Sequence, residues 1–187
     1  EKRMDELPTH QARVQGRARP NSAPVELEEM MTFEADELTR SALRIEAPDG
    51  FLRAVLFGYA CHNTCLGFYN YCGDYAGYAQ EYLQEHRPGF VAMFLMGCGG
   101  DQNPYPRRSD VVPGVTDLDL CQQHGRSLAN AVEMALTANP RPVRGPVRAA
   151  YEEVTLDYAD SKRGSHPYPV QVVKLGNDVM LVALGSE

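Results

Sequence analysis

Phe51–Gly67 reads FLRAVLFGYACHNTCLG, Gly73–His86 reads GDYAGYAQEYLQEH, and Gly89–Pro104 reads GFVAMFLMGCGGDQNP. The first segment is apolar and β-favouring, and its apolar run ends just before His62. The second opens on Gly73-Asp74 and places Tyr75, Tyr78, Ala79 and Tyr82 at i, i+3, i+4 and i+7, one stripe of a helix. The third is a short continuous apolar run, Phe90 to Met96, which its length and its glycine and proline flanks mark as a buried strand. It breaks into the loop Gly97–Asn103. Strand, helix and strand in this order predict a parallel pair with a right-handed crossover. In open α/β sheets ligands sit beyond the carboxyl ends of the strands, so His62 and the Gly97–Asn103 loop are expected to face one site.

Working outward, Ser41 to Ala47 (SALRIEA) alternates apolar and polar residues as a half-buried strand does. Pro48-Asp49-Gly50 has turn chemistry, and Leu52 to Ala60 completes a hairpin. That second strand is apolar beyond Arg53, which predicts burial on both faces in a central position. Antiparallel hairpin and parallel pair together give an α/β fold with a mixed β-sheet and flanking helices. Asp74 has the side chain of a helix cap, and Arg87-Pro88-Gly89 ends that helix. Asp117 to Ala138 (DLDLCQQHGRSLANAVEMALTA) is the strongest helical stretch. Leu118, Cys121, Gly125, Leu128, Ala129, Val132 and Leu136 are expected to line its packed face, Asp117 and Asp119 favour its N-terminal end through the helix dipole, and Asn139-Pro140 stops it. His124 lies beside the stripe and reads as a packed or surface histidine.

Val147 to Tyr158 alternates as a long strand. Ser161 to Pro169, including His166, reads as a loop. Val170 to Leu175 and Val179 to Leu184 form a hairpin around Gly176-Asn177-Asp178. At the other end, residues 1–39 form a polar, irregular lead-in to a core at 40–187. Within the lead-in, Arg13 to Pro24 (RVQGRARPNSAP) has the composition of a surface loop, and Glu26 to Glu34 is compatible with a short helix or an extended approach.

The 187 residues suffice for a real hydrophobic core. The net charge of −7 argues against nucleic-acid binding, whose electrostatic footprint is basic. The pair Arg107-Arg108 reads as a solvated loop. Apolar runs are too short for a transmembrane helix. The chain opens on Glu1 and closes on Glu187 straight after an apolar run, the pattern expected of a piece of a longer protein. The five cysteines, Cys61, Cys65, Cys72, Cys98 and Cys121, fit no common zinc-finger spacing. Cys61 and Cys65 suit a core, and a Cys65–Cys72 disulfide is compatible with export.

Four features carry candidate chemistry. His62, at a rigid strand end, suits a metal ligand or general base, or a histidine bonded to a backbone carbonyl. The glycines of Gly97–Asn103 let the backbone approach a ligand and present amides to an anion, and Asp101 either orients that ligand or braces the loop. The loop lacks the Gly-Lys-Ser/Thr of a phosphate loop. Cys98 is a candidate nucleophile, although Met96 stands where a nucleophile elbow has glycine. Glu187 follows an apolar strand, and a glutamate joined to histidines is a common ligand set for catalytic zinc.

The ordered set DGFLRAVLFGYACHNTCLG, GDYAGYAQEYL, VAMFLMGCGGDQNP and VMLVALGSE, with HGRSLANAVEMAL between the last two, resembles the N-terminal catalytic domain of the neutral/alkaline (non-lysosomal) ceramidase family across about residues 40–187. The resemblance implies a zinc-dependent amidase that hydrolyses the N-acyl bond of ceramide, commonly secreted or periplasmic. It implies that His62 and Glu187 bind zinc, with a second histidine ligand before residue 1 and a tyrosine ligand after residue 187. It places Asp101, Asn103, Gly99 and Gly100 around a small-molecule or lipid amide substrate. The family's loop reads Gly-Asp-x-Ser-Pro, whereas here Asn103 holds the serine position. An amide is no nucleophile but donates a hydrogen bond to an oxyanion, so metal-activated water is the expected attacker. An amide or ester other than ceramide then fits equally well, and a binding domain without catalysis is the alternative.

Overall fold

The computed structural model describes residues 30–36, 40–107, 114–138 and 141–185. Eight strands and two long helices follow one another as β1 (Met30–Asp36), β2 (Arg40–Glu46), β3 (Leu52–Tyr59), α1 (Asp74–Gln84), β4 (Val91–Met96), α2 (Asp117–Thr137), β5 (Arg141–Val143), β6 (Val147–Asp157), β7 (Ser165–Leu175) and β8 (Val179–Leu184). They form a five-stranded sheet in the order β4-β3-β2-β1-β5 and a three-stranded sheet β6-β7-β8. In the larger sheet β3 and β4 run parallel, with Phe57 opposite Phe94, and the other pairs are antiparallel. The mixed α/β architecture expected from the hairpin and the strand–helix–strand unit is the one observed.

Two cores lie on opposite faces of this sheet. Val55 and Phe57 of β3 and Ala42 of β2 point to one face, where Ala79 and Leu83 of α1 and Ala129 and Val132 of α2 cover them. Burying a side chain such as Phe57 contributes about 1.5–3 kcal/mol. Leu43 and Leu56 lie in a second cluster, against Val173, Leu175 and Val179 of the smaller sheet. The layers are therefore helices, mixed sheet and antiparallel sheet. β3 is central and covered on both sides, which explains its nearly unbroken apolar sequence.

Several expectations need correction. Among the described residues β4 is an edge strand, not a fully buried one, and Val91, Met93 and Leu95 are exposed. Gly73, not Asp74, occupies the N-cap of α1 and makes no side-chain cap bond. Asp74 is the first helical residue and adopts the left-handed φ of 52°. At the start of α2, Thr116 and Asp119 add a reciprocal capping box to the expected dipole effect. On α2, Leu118 is exposed and Leu120 is buried in its place, because the first turn packs towards Cys121 and the α1 start. Of the segment Ser161–Pro169 read as a loop, Ser165–Pro169 is the first half of β7. Among the described residues Ser165–Pro169 pairs with β6 alone, while pairing with β8 begins at Val170. Pro167 and Pro169 are tolerated where the described ladder runs on one side.

Of Glu26–Glu34, read as compatible with a short helix or an extended approach, the described part belongs to a strand, Met30–Asp36, that pairs with both β2 and β5, so this part of the lead-in belongs to the core sheet. The loop at 13–24, Arg108, the helix stop at 139–140 and Glu187 lie outside the described residues. Within the described residues no helix is long and apolar enough to cross a membrane.

Candidate active site

The parallel pairing of β3 and β4 continues past the strands and fixes the site's backbone. Gly97 N donates to Tyr59 O at 3.1 Å, and His62 N donates to Gln102 O at 3.0 Å. A Cβ on Gly97 would come 3.1–3.3 Å from Ala60, a tight contact, so glycine favours this close approach of the two chain ends. Gln102 N donates to Gly99 O at 2.6 Å and closes a turn in which Gly100 takes φ +47°. From below, the buried Tyr75 of α1 donates its hydroxyl to Cys61 O at 2.7 Å. Burial pushes that phenol's pKa well up, so it stays a donor. Its ring meets Tyr59 and Phe94 edge-on at 6.4 and 6.1 Å. Helix α1 thus holds the strand end that presents His62.

His62 Nε2 lies 2.8 Å from Gly100 O. A carbonyl only accepts, so Nε2 carries the proton and the imidazole lone pair is on Nδ1. An N–H donated to a backbone carbonyl is the support that metal-bound histidines commonly have, and His62 fits a zinc ligand in this respect. It equally fits the simpler sequence reading of a strand-end histidine bonded to a carbonyl. Glu187, the partner ligand that the resemblance implies, lies outside the described residues.

The other expected residues fall on the same loop. Asp101 is exposed and its Oδ1 accepts from Gln102 Nε2 at 2.8 Å. Asn103 Oδ1 accepts from Thr64 Oγ1 at 3.3 Å, and its Nδ2 lies 3.4 Å from Asp101 O. The loops after β3 and β4 therefore meet at His62–Gln102, at His62–Gly100 and at Thr64–Asn103. Among the described residues no backbone hydrogen bond occupies the amides of Gly99 and Gly100. A cleft of about 260 Å³ opens beside Thr64 and Asn103 and runs to Asp117 and His124 at the start of α2. A neighbouring cleft of about 350 Å³ reaches Tyr59, Tyr75 and Tyr105. His124, read as a packed or surface histidine, is bonded through Nε2 to Pro106 O at 3.1 Å and forms part of both walls.

All five cysteines are free thiols, so the Cys65–Cys72 disulfide is not formed. Cys98 is exposed on the loop, while the His62 Nε2 proton is directed at Gly100 O. Burial, with the Asp74 carboxylate adding to it, pushes the Cys65 thiol well up and the Cys121 thiol to about 12. These two are poor nucleophiles as free thiols. Their approach to each other and to Asp74 has no local signal in the sequence, because Cys65 and Cys121 lie on well-separated segments. The packing of α2 on α1 is what brings them together.

No protein-family model and no curated protein sequence matches the chain. Solved structures do. The chain is similar in fold to the neutral ceramidase from Pseudomonas aeruginosa, with a TM-score of 0.61 and 13% identity over 76% of this chain and 33% of that one. A ceramidase complexed with C2 gives a TM-score of 0.54 and 15% identity over 78% of this chain and 27% of that one. The chain thus spans about a third or less of these proteins, and what it shares with them is a ceramidase-like fold.

Proposed function

We propose that this chain forms part of the catalytic domain of a zinc-dependent hydrolase of the neutral ceramidase type, cleaving an N-acyl amide bond in ceramide or a related lipid or small-molecule amide. The observation that carries the reading is the placement of His62. It stands at the carboxyl end of the central strand and is hydrogen bonded to the glycine loop of the parallel neighbour, in a fold shared with ceramidases. His62 and Glu187 would hold the zinc. The metal supplies Lewis acidity towards the amide carbonyl and towards water.

The chain's own residues bind and orient. The Gly100 carbonyl fixes the His62 ring. Thr64 donates to the Asn103 carboxamide oxygen and one Asn103 N–H meets Asp101 O, and the second N–H of that NH2 group would serve as a donor for the developing oxyanion. The amides of Gly99 and Gly100 are a second pair of donors on the same loop, and Asp101 braces it through Gln102. Asn103 supplies no nucleophile. This reading carries secretion or a periplasmic location with it.

The test is zinc content and amidase activity of the chain within its complete protein, native and His62→Ala, against N-acyl substrates that include ceramide. Stoichiometric zinc that falls in the variant together with turnover supports the reading. Unchanged activity in His62→Ala, or a protein without zinc, refutes it. Asn103 at the serine position motivates a second reading, a binding domain without catalysis. Zinc retained without turnover of any substrate would favour it.

A further inference from the structure

A second group of metal-ligating side chains lies apart from the His62 ring, at the junction of α1, α2 and the loop after β3. Cys65, Asp74 and Cys121 each bring a ligand atom within 4.8 Å of the others. They come from three separate segments: the loop, the first residue of α1 and the second turn of α2. Asp74 and Cys121 are buried and Cys65 is half-buried, so the group is shielded and opens to the surface on one side.

Asp74 is held unusually firmly. Its Oδ1 accepts from Cys65 N at 3.2 Å and Tyr75 N at 2.8 Å, and its Oδ2 accepts from Leu66 N at 3.0 Å. Three backbone donors orient the carboxylate and leave it lone-pair capacity for a cation, as the outer partners of a metal-bound carboxylate do. The left-handed φ of 52° at Asp74 is a costly conformation for a residue other than glycine. A loop brace alone explains the three amide bonds. It does not explain why two thiols from different segments converge on the same carboxylate. Cys72 stands at the rim, exposed, with its sulfur accepting the Asp74 amide at 3.2 Å. N–H···S contacts of this kind are a usual support of thiolate ligands.

We propose that Cys65, Asp74 and Cys121 form a binding site for a thiophilic divalent cation of the zinc class, with Cys72 at its rim as a support. Zinc takes sulfur at about 2.3 Å and carboxylate oxygen at about 2.0–2.2 Å in a tetrahedron. Donors so arranged are about 3.5–3.8 Å apart, inside the separation seen here. Two thiolates and one carboxylate select zinc over magnesium or calcium, which prefer all-oxygen shells. Binding forms the metal–sulfur bonds and releases the thiol protons to solvent. The site would staple the loop that bears His62 and Thr64 to both helices. The protein fills three positions of the tetrahedron, and the fourth lies on the rim side, where Cys72 stands.

The experiment is a cobalt(II) titration of the reduced, metal-stripped full chain, followed by zinc displacement. Expected is a thiolate-to-cobalt charge-transfer band that saturates at one equivalent and is lost on adding zinc. It should persist in His62→Ala and disappear in Cys65→Ser and Cys121→Ser. Cys72→Ser should weaken binding about 10- to 100-fold without abolishing it, the scale of loss for a peripheral ligand or support. The band in the native chain is itself diagnostic, so an unfolded variant does not rescue the proposal. A reduced native chain without the band overturns it. So does a band that survives Cys121→Ser, or a chain isolated with Cys65 and Cys121 oxidised to a disulfide.

Discussion

Replacing Gly125 by alanine should destabilise the protein, although helix propensity alone points the other way. Gly125 lies inside α2, where alanine is favoured over glycine by about 1 kcal/mol. A Cβ there would sit 2.5 Å from Tyr78 Cβ, 2.7 Å from Tyr75 O and 3.1 Å from Ala79 N. Two of these three are backbone atoms of α1, which cannot turn aside as a flexible side chain does. Overpacking of this kind costs about 1–3 kcal/mol, and backbone contacts this short belong in the upper half of that range. The net expectation is a loss of about 1–2 kcal/mol, or roughly 2–8 °C in Tm for a chain of this size. Gly77→Ala is the matched control. Gly77 lies in α1, and a Cβ there meets nothing within 4 Å, so the propensity gain of about 1 kcal/mol should appear undiminished. Urea unfolding followed by helical circular dichroism on both variants reads the difference, about 2–3 kcal/mol between them. If Gly125→Ala were stabilised as much as Gly77→Ala, the close α1–α2 approach inferred at this position would be wrong. The site would be affected too, since the same displacement moves Tyr75 and Asp74.

Tyr75→Phe keeps the edge-on ring contacts but leaves Cys61 O without its buried donor; a loss of about 1–3 kcal/mol is expected, with faster hydrogen exchange at the His62 amide, and no change in either would show that the hydroxyl does not hold the strand end. Asn103→Ala should lower turnover about 10²- to 10³-fold if its carboxamide serves the oxyanion, measured with whichever amide the complete protein cleaves, and an unchanged rate would remove Asn103 from the chemistry. Thr116→Ala should cost about 1 kcal/mol by removing the α2 cap, read by thermal melting. The Thr116 hydroxyl and amide hold the Asp119 carboxyl below its ordinary pKa of 3.8. The stabilisation is therefore complete above that value and lost as pH falls through the depressed one; the native chain should show this acid-side loss and Thr116→Ala should show less of it. Arg87, in the turn after α1, and Glu133 of α2 are joined by two bonds, 2.5 and 2.7 Å long. Both are about a third or more exposed, so a double-mutant cycle should give only about 0.2–1 kcal/mol, falling with salt.

Local pattern by itself determined the elements that depend on neighbours in the chain. The tyrosine stripe of α1, the long stripe of α2, the Pro48-Asp49-Gly50 and Gly176-Asn177-Asp178 turns and the apolar runs of β3 and β4 are periodicities and turn chemistries readable over a few residues. They suffice for the mixed α/β fold, and for the expectation that the ends of β3 and β4 lie together, which the His62–Gly100 and Thr64–Asn103 contacts match. Tertiary structure decided what depends on distant partners. An edge strand and a central strand can carry the same apolar run, so the exposure of β4 was not readable. Prolines argue against a strand, and only the pairing of Ser165–Pro169 with β6 shows that the first half of β7 is one. Asp74 looks like a cap from its neighbours, yet its carboxylate reaches back to Cys65 and Leu66. The meeting of Cys65 with Cys121 arises from the packing of α2 on α1 at Gly125, because a missing side chain at one position sets how closely two helices approach.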